Sequence, residues 1–251
     1  MHDQGYQGIE IWGGRPHAYR HDLDEDMDRI ADLLHELDMA VPNFIPAQFR
    51  YPSILCSSIE KIRRDSVHYI RDAIDNARCL GAPSVSLCPG MTLYGESPEQ
   101  GWSQFRKSIL ELLDYTDGTD FVLLIEPAHR FETTLVLTVA DGLRMVREIG
   151  SERLGILVDT GHCHVNGEDL AQVIRGLQEV PFHIHINDNQ GDSDVHSVPG
   201  EGNTPFAPMA MALAEIDYQG FVSAELGFQY TLDPDQAAKK TYARLCEIFQ
   251  K

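Results

Sequence analysis

Residues 121–126 read Phe-Val-Leu-Leu-Ile-Glu, and residues 154–159 read Leu-Gly-Ile-Leu-Val-Asp. Each is a short, continuous apolar run that ends on a carboxylate. A strand with one wet face alternates apolar and polar residues. A run without alternation is buried on both faces, as in a parallel sheet covered by helices. A helical pattern over 139–149 separates the two runs, as a crossover between parallel strands requires.

The same alternation extends in both directions. Toward the N-terminus, strand patterns are expected at 9–12, 40–45 and 84–87, and helices over 24–37, 58–80 and 97–115. The last of these opens on Ser97-Pro98, a capping serine with proline in the first turn. Toward the C-terminus come a helix over 168–177, a strand at 182–186, a helix over 205–216, a strand at 221–225 and a helix over 233–249. Seven strands with seven following helices repeat at roughly 30–40 residues, the size of a βαβ unit.

No linker or low-complexity break divides the chain, so residues 1–251 are expected to form one domain. The fold expected is α/β, a (β/α)8 TIM barrel. A doubly wound open sheet ranks second because no Gly-x-Gly-x-x-Gly follows any strand. Seven units are one fewer than eight. Gly5-Tyr6-Gln7-Gly8-Ile9-Glu10 reads as the end of a first helix entering a second strand. The first β/α unit is therefore expected to be missing from this chain, leaving a seam whose open edges favour association or instability.

Charge narrows the partners. With 39 acidic against 20 basic residues the formal net charge is −19. Such a surface opposes phosphate backbones and anionic membranes, so a small molecule is expected rather than nucleic acid or membrane. Cys56, Cys79, Cys88, Cys163 and Cys246 are odd in number and unpaired in spacing. That pattern fits neither a disulfide framework nor a zinc cluster, and Cys163 reads as a small buried thiol. Met1-His2-Asp3-Gln4-Gly5 lacks a basic and apolar leader, and no apolar run reaches the ~18 residues of a membrane span. A cytoplasmic protein is expected.

In a barrel of this type the C-terminal strand ends gather at one mouth, where chemistry is done. Glu126, Asp159, His185 and Glu225 stand there, each from a different strand. In Phe182-His183-Ile184-His185-Ile186 the two imidazoles share one face of the strand. Three carboxylates with one imidazole suit one divalent ion, Mn²⁺ first and Mg²⁺ or Co²⁺ as alternatives. One strand-end carboxylate means little; four such residues on successive strands form a pattern. Glu132, His162, Asp194 and His196 follow closely in sequence, and Trp12 and His17 follow the first visible strand. These six are candidate substrate contacts. Plainer roles compete: a solvated loop acid for Glu132, a surface histidine for His164, a histidine packed on the barrel wall for His183.

Taken together, these motifs resemble the sugar phosphate isomerase/epimerase superfamily of xylose isomerase-like TIM barrels. Glu126-Pro127-Ala128-His129-Arg130-Phe131-Glu132 is similar to the Glu-x-x-x-Arg-Phe-Glu run of the tagatose and allulose 3-epimerases. Asp159-Thr160-Gly161-His162, His183-Ile184-His185 and Ala224-Glu225 match that group's other motifs. Residues 8–18 and 193–202 resemble fructoselysine 3-epimerases more closely still. The resemblance implies that Glu126, Asp159, His185 and Glu225 bind the metal, and that His162 and Glu132 contact the sugar. It also implies a homodimer or homotetramer.

The reaction implied is C3 epimerisation of a ketose or ketosamine of the fructoselysine/psicoselysine type, through a cis-enediolate. Glu126 and Glu225 would be the catalytic pair. The ketose 3-epimerases carry an arginine six residues after the metal histidine, where this chain has Gly191. Recognition at that end of the sugar is expected to run through Asp194 and His196, which favours a fructosamine over a free ketohexose. Three alternatives stand beside this: another metal-dependent sugar isomerase or dehydratase of the superfamily, an endonuclease IV-like nuclease, and a non-catalytic sugar-binding relic. The second rests on Asp194-Val195-His196 and Gly200-Glu201-Gly202, and is opposed by the net charge.

Overall fold

A computed structural model describes residues 1–20, 26–48 and 53–250. Strands β1 (Ile11–Trp12), β2 (Phe44–Ile45), β3 (Ser84–Leu87), β4 (Val122–Ile125), β5 (Leu154–Asp159), β6 (Phe182–Ile186) and β7 (Val222–Ala224) form one sheet in chain order. Every neighbouring pair is parallel. Each residue of β5 is buried, and so are Leu123, Leu124 and Ile125 of β4, as runs without alternation require.

The covering helices are α1 (Asp26–Glu36), α2 (Glu60–Cys79), α3 (Pro98–Tyr115), α4 (Val139–Ile149), α5 (Thr160–Val165), α6 (Leu170–Arg175), α7 (Phe206–Glu215) and α8 (Pro234–Ile248). Their ends follow local chemistry. The Ser97 side chain accepts from Gln100 N while Gln100 reaches back, a reciprocal cap that starts α3, and Thr138 with Asp141 does the same for α4. Gly150, at φ 70°, ends α4 in the left-handed conformation that costs glycine least. The expected start of α1 at residue 24 lies outside the described residues.

Three elements differ from expectation, the first being the strand expected over 9–12, which shortens to Ile11–Trp12. The strand expected over 40–45 shrinks to Phe44–Ile45, with Ala40 making only an isolated bridge to Gly8. Pro42 has no N–H to give to a ladder. After β5, where one helix was expected over 168–177, there are two. The added one, α5, starts directly on the strand end because the Asp159 side chain accepts from His162 N and caps it. One turn and a half is too short to leave a helical period in the sequence.

The sheet curls. Tyr6 Oη donates to Ala238 O at 2.8 Å and its ring packs 5.1 Å from that of Tyr242, tying the N-terminal segment to α8. Glu10, just before β1, reaches across the interior to His183 and His185 on β6. Among the described residues β1 and β7 are the sheet's two ends, with no ladder between them. No described helix is long and apolar enough to cross a membrane.

Candidate active site

Strands β4 to β7 are consecutive neighbours, and their register puts four donor side chains at one level. Asp159 is the last residue of β5 and pairs with His185 on β6. Glu225 follows β7, its N–H donating to Ile186 O at 3.2 Å; Glu126 follows β4, its N–H donating to Leu87 O at 3.0 Å. Ligand atoms of Glu126, Asp159, His185 and Glu225 all lie within 4.8 Å of one another. His185 Nδ1 is 3.0 Å from Glu225 Oε2 and 3.9 Å from Glu126 Oε1. Glu126, Asp159 and His185 are buried, whereas the Glu225 side chain is 29% exposed and opens the group to one side.

Each donor is held from behind. Asp159 accepts from His162 N at 2.8 Å through Oδ1 and from Asn187 Nδ2 at 2.7 Å through Oδ2. Cys88 Sγ donates weakly to Glu126 Oε2 at 3.5 Å. His185 Nε2 faces Glu10 Oε2 at 3.1 Å. Buried carboxylates in this number need cationic compensation. Three carboxylates and an imidazole aimed at one point fit a divalent cation, and an oxygen-rich set of this kind suits Mn²⁺, Mg²⁺ or Co²⁺.

A second group adjoins the first. His162 donates from Nδ1 to Pro127 O at 3.1 Å, so its Nε2 points to Asp194 Oδ2, 3.4 Å away, and to Glu132 Oε2, 3.8 Å away. His129 Nε2 lies 3.0 Å from Asp194 Oδ2, and His196 Nε2 lies 2.8 Å from the same oxygen. His196 Nδ1 faces Glu225 Oε2 at 3.6 Å, which joins the two groups. Several of these polar atoms are buried without a hydrogen bond: both ring nitrogens of His129, Asp194 Oδ1 and His196 Nδ1. Unsatisfied polar atoms lining one space are what a hydroxyl-rich ligand would satisfy.

Residues 1–248 match the model of the xylose isomerase-like TIM barrel family. The chain belongs to that family. It is 30% identical over 241 residues to a fructoselysine 3-epimerase of Shigella flexneri, covering 96% of this chain and 87% of that one. A solved D-tagatose 3-epimerase-like protein superposes with TM-score 0.81 at 24% identity, covering 96% of this chain and 90% of the other. An L-ribulose 3-epimerase structure gives TM-score 0.83 at 20% identity, with 99% and 86% covered. At those identities the two structures show the fold; family membership makes the chain an enzyme.

Within this family barrel the carboxylates have unequal proton affinities. Burial pushes Glu126 up to about 7, with Glu225 and Asp159 adding to the push against His185 and His162. Burial also pushes Glu225 up, but the charge and hydrogen bond of His185, with His196 and His162, outweigh it and hold Glu225 at about 2. Asp159 and Glu132 are raised, chiefly by burial. Burial acts against the charge of His196 too, yet Asp194 and Glu225 lift it to about 10. His129, His162 and His196 hold Asp194 well below the usual carboxylate range despite its burial.

The barrel gathers Glu132, His162, Asp194 and His196 beside the first group, so Glu132 is not a solvated loop acid. Trp12 and His17 stand apart at the end of β1 with ring centroids 5.8 Å apart, and His17 is exposed. Gly191 sits at φ 82°, where a Cβ would come 3.3 Å from His164 Nε2, so the backbone itself disfavours an arginine there. The segment Gly200-Glu201-Gly202 wraps a buried acid: Asp188 accepts from Gly200 N, Gly202 N and Thr204 N at 2.7 to 3.0 Å. Glu201 turns away to Lys240 and Tyr230. Sequence reasoning missed Glu10, His129 and Asn187. Glu10 lay within residues 8–18 and His129 within 126–132, both read for their neighbours, while Asn187 directly follows a strand read for its imidazoles.

Proposed function

We propose that the protein is a metal-dependent epimerase acting at C3 of a ketose or ketosamine, with the fructoselysine/psicoselysine type as the preferred class. The observation that carries this reading is the convergence of Glu126, Asp159, His185 and Glu225 from four adjacent strands. The family and the 3-epimerase names among its relatives support it. In this reading those four residues hold one divalent ion, Mn²⁺ before Mg²⁺ or Co²⁺. When bound, the ion supplies Lewis-acid stabilisation of the negative charge that develops on the sugar's carbonyl oxygen.

The chain's own residues do the rest. One of Glu126 and Glu225 takes the proton from C3; the C–H electron pair moves into a C2=C3 bond while the C2=O π pair moves onto O2, giving a cis-enediolate. The other returns a proton to the opposite face of C3, which inverts the centre. Such a pair needs two carboxylates that reach C3 from opposite faces, and Glu126 and Glu225 follow different strands, β4 and β7. His162, fixed by Pro127 O, presents Nε2 to a sugar oxygen, and Glu132, Asp194 and His196 bind hydroxyls or a substrate amine. Trp12 and His17 cover the far edge of the sugar. The enzyme is proposed to be a cytoplasmic homodimer or homotetramer, with no nucleic-acid or membrane partner.

The deciding experiment is solvent exchange at C3, read by proton NMR. The protein is incubated with Mn²⁺ in D₂O and fructoselysine, psicoselysine, fructose, allulose or tagatose. Loss of the C3 proton signal that stops with chelator, and in Glu126→Gln or Glu225→Gln, is expected, most strongly with a fructosamine. A metal-loaded, folded protein that exchanges C3 of none of these sugars ends the 3-epimerase reading.

A further inference from the structure

The metal-facing imidazole is gripped from the opposite side by a residue from the other end of the chain. Glu10 precedes β1, and its side chain is only 6% exposed. Its carboxylate receives three donors: His183 Nε2 on Oε1, His185 Nε2 at 3.1 Å on Oε2, and Asn43 Nδ2 at 3.0 Å on Oε2. We propose that Glu10 is a positioning residue, whose carboxylate keeps His185 Nε2 as the donor so that Nδ1 is presented to Glu126, Asp159 and Glu225. The proposal rests on the metal site of the preceding section.

A neutral imidazole has one N–H and one lone pair, so fixing the proton on Nε2 leaves Nδ1 free to ligate. A carboxylate behind a metal-binding histidine sets both the tautomer and the ring plane. Glu10 is itself held in place. Asn43 is fully buried, and its Oδ1 accepts from Ser84 Oγ at 2.8 Å, which leaves Nδ2 to donate to Glu10. His183 also meets Ser223 Oγ at 3.1 Å, two residues before Glu225 on β7. The carboxylate thus ties β1, β2 and β6 together beneath the metal-facing residues. An apolar side chain would fill the interior of the barrel without a buried charge. The aim of both Glu10 oxygens at the two histidines is what such a filler would lack.

The test compares wild type with Glu10→Gln, measuring Co²⁺ affinity by chelator competition, the visible absorption bands of bound Co²⁺, and thermal melting in chelator. Glutamine leaves one acceptor oxygen for three donors. A 10–100-fold loss of Co²⁺ affinity with shifted bands, in a variant that stays folded, is expected, the size seen when such partners are removed. A folded variant with wild-type affinity and unchanged bands overturns the proposal, even if its melting temperature falls, because that pattern is a purely structural role. Should Glu10→Gln not fold, Asn43→Ala keeps the carboxylate and removes one tether. A loss smaller than the roughly 10–100-fold expected for Glu10→Gln is then expected, and an unchanged affinity overturns the proposal. Wild-type protein that takes up no Co²⁺ removes the metal site as well, which separates that failure from a failure of Glu10 alone.

Discussion

Asn187 Nδ2 donates a 2.7 Å hydrogen bond to Asp159 Oδ2, from the residue after β6 to the last residue of β5. Asn187 is buried, and its amide leaves Asp159 oriented toward Glu126, His185 and Glu225. Asn187→Ala is expected to lower divalent-metal affinity about 10–100-fold, as loss of a ligand's supporting hydrogen bond does. A competition titration with a chelating fluorophore checks this, and wild-type affinity in the variant would refute it.

Asp194 Oδ2 is shared by His129, His162 and His196 at 3.0, 3.4 and 2.8 Å. If this group binds the sugar, Asp194→Asn should raise KM by about 10–100-fold, the value of a charged hydrogen bond, and lower kcat less. Steady-state kinetics on the sugar that passes the exchange test decide it. A fall in kcat at unchanged KM would move Asp194 out of substrate binding.

Metal uptake should depend on pH in a defined direction. Ligation needs Glu126 ionised, and burial holds its pKa at about 7. His185 must shed its Nδ1 proton as well, and Glu10 and Glu225 hold its pKa well above the usual value against burial. Protons therefore compete below neutrality, and affinity rises with pH. The Glu126 proton alone predicts at least about a 10-fold gain between pH 6 and pH 8. Isothermal titration in buffers of different ionisation enthalpy should also show proton release. Affinity that is flat or falls over this range would contradict the assignment.

Removing the metal should cost stability. A ligand at about 100 times its Kd adds ~2.7 kcal/mol to a folded state that alone binds it. Chelator is expected to lower the melting temperature of wild type but not of Asp159→Asn. An equal shift in both would show that the chelator acts elsewhere.

Gly202 lies against Asn189 O and Asp188 Oδ1, 2.2 and 2.3 Å from where a Cβ would sit. Neither atom can move without breaking the loop that Asp188 organises. Gly202→Ala is expected to lose about 1–3 kcal/mol, or ~2–12 °C in melting temperature for a chain of this size. Thermal unfolding followed by circular dichroism checks it; an unchanged midpoint would show that the loop adjusts freely.

Much of this protein is legible in the residues themselves. Continuous apolar runs at Phe121–Ile125 and Leu154–Val158 mark doubly buried strands because a strand with no polar side has no wet face. Their terminal carboxylates mark the mouth because parallel strands all end on one side. Local signals carry such features, and so the converging quartet Glu126, Asp159, His185 and Glu225 could be named from sequence. What the sequence left undecided depends on atoms far apart in the chain. The acids Asp188 and Asp194, six residues apart, look alike as letters. Asp188 is consumed by backbone N–H groups of its own loop, whereas Asp194 is turned toward three histidines. Glu10 reads as one acidic residue in a short strand. Only the curl of the sheet sets it against His183 and His185, more than 170 residues later, because side-chain identity fixes what a residue can bond and the folded chain decides which partner is within reach.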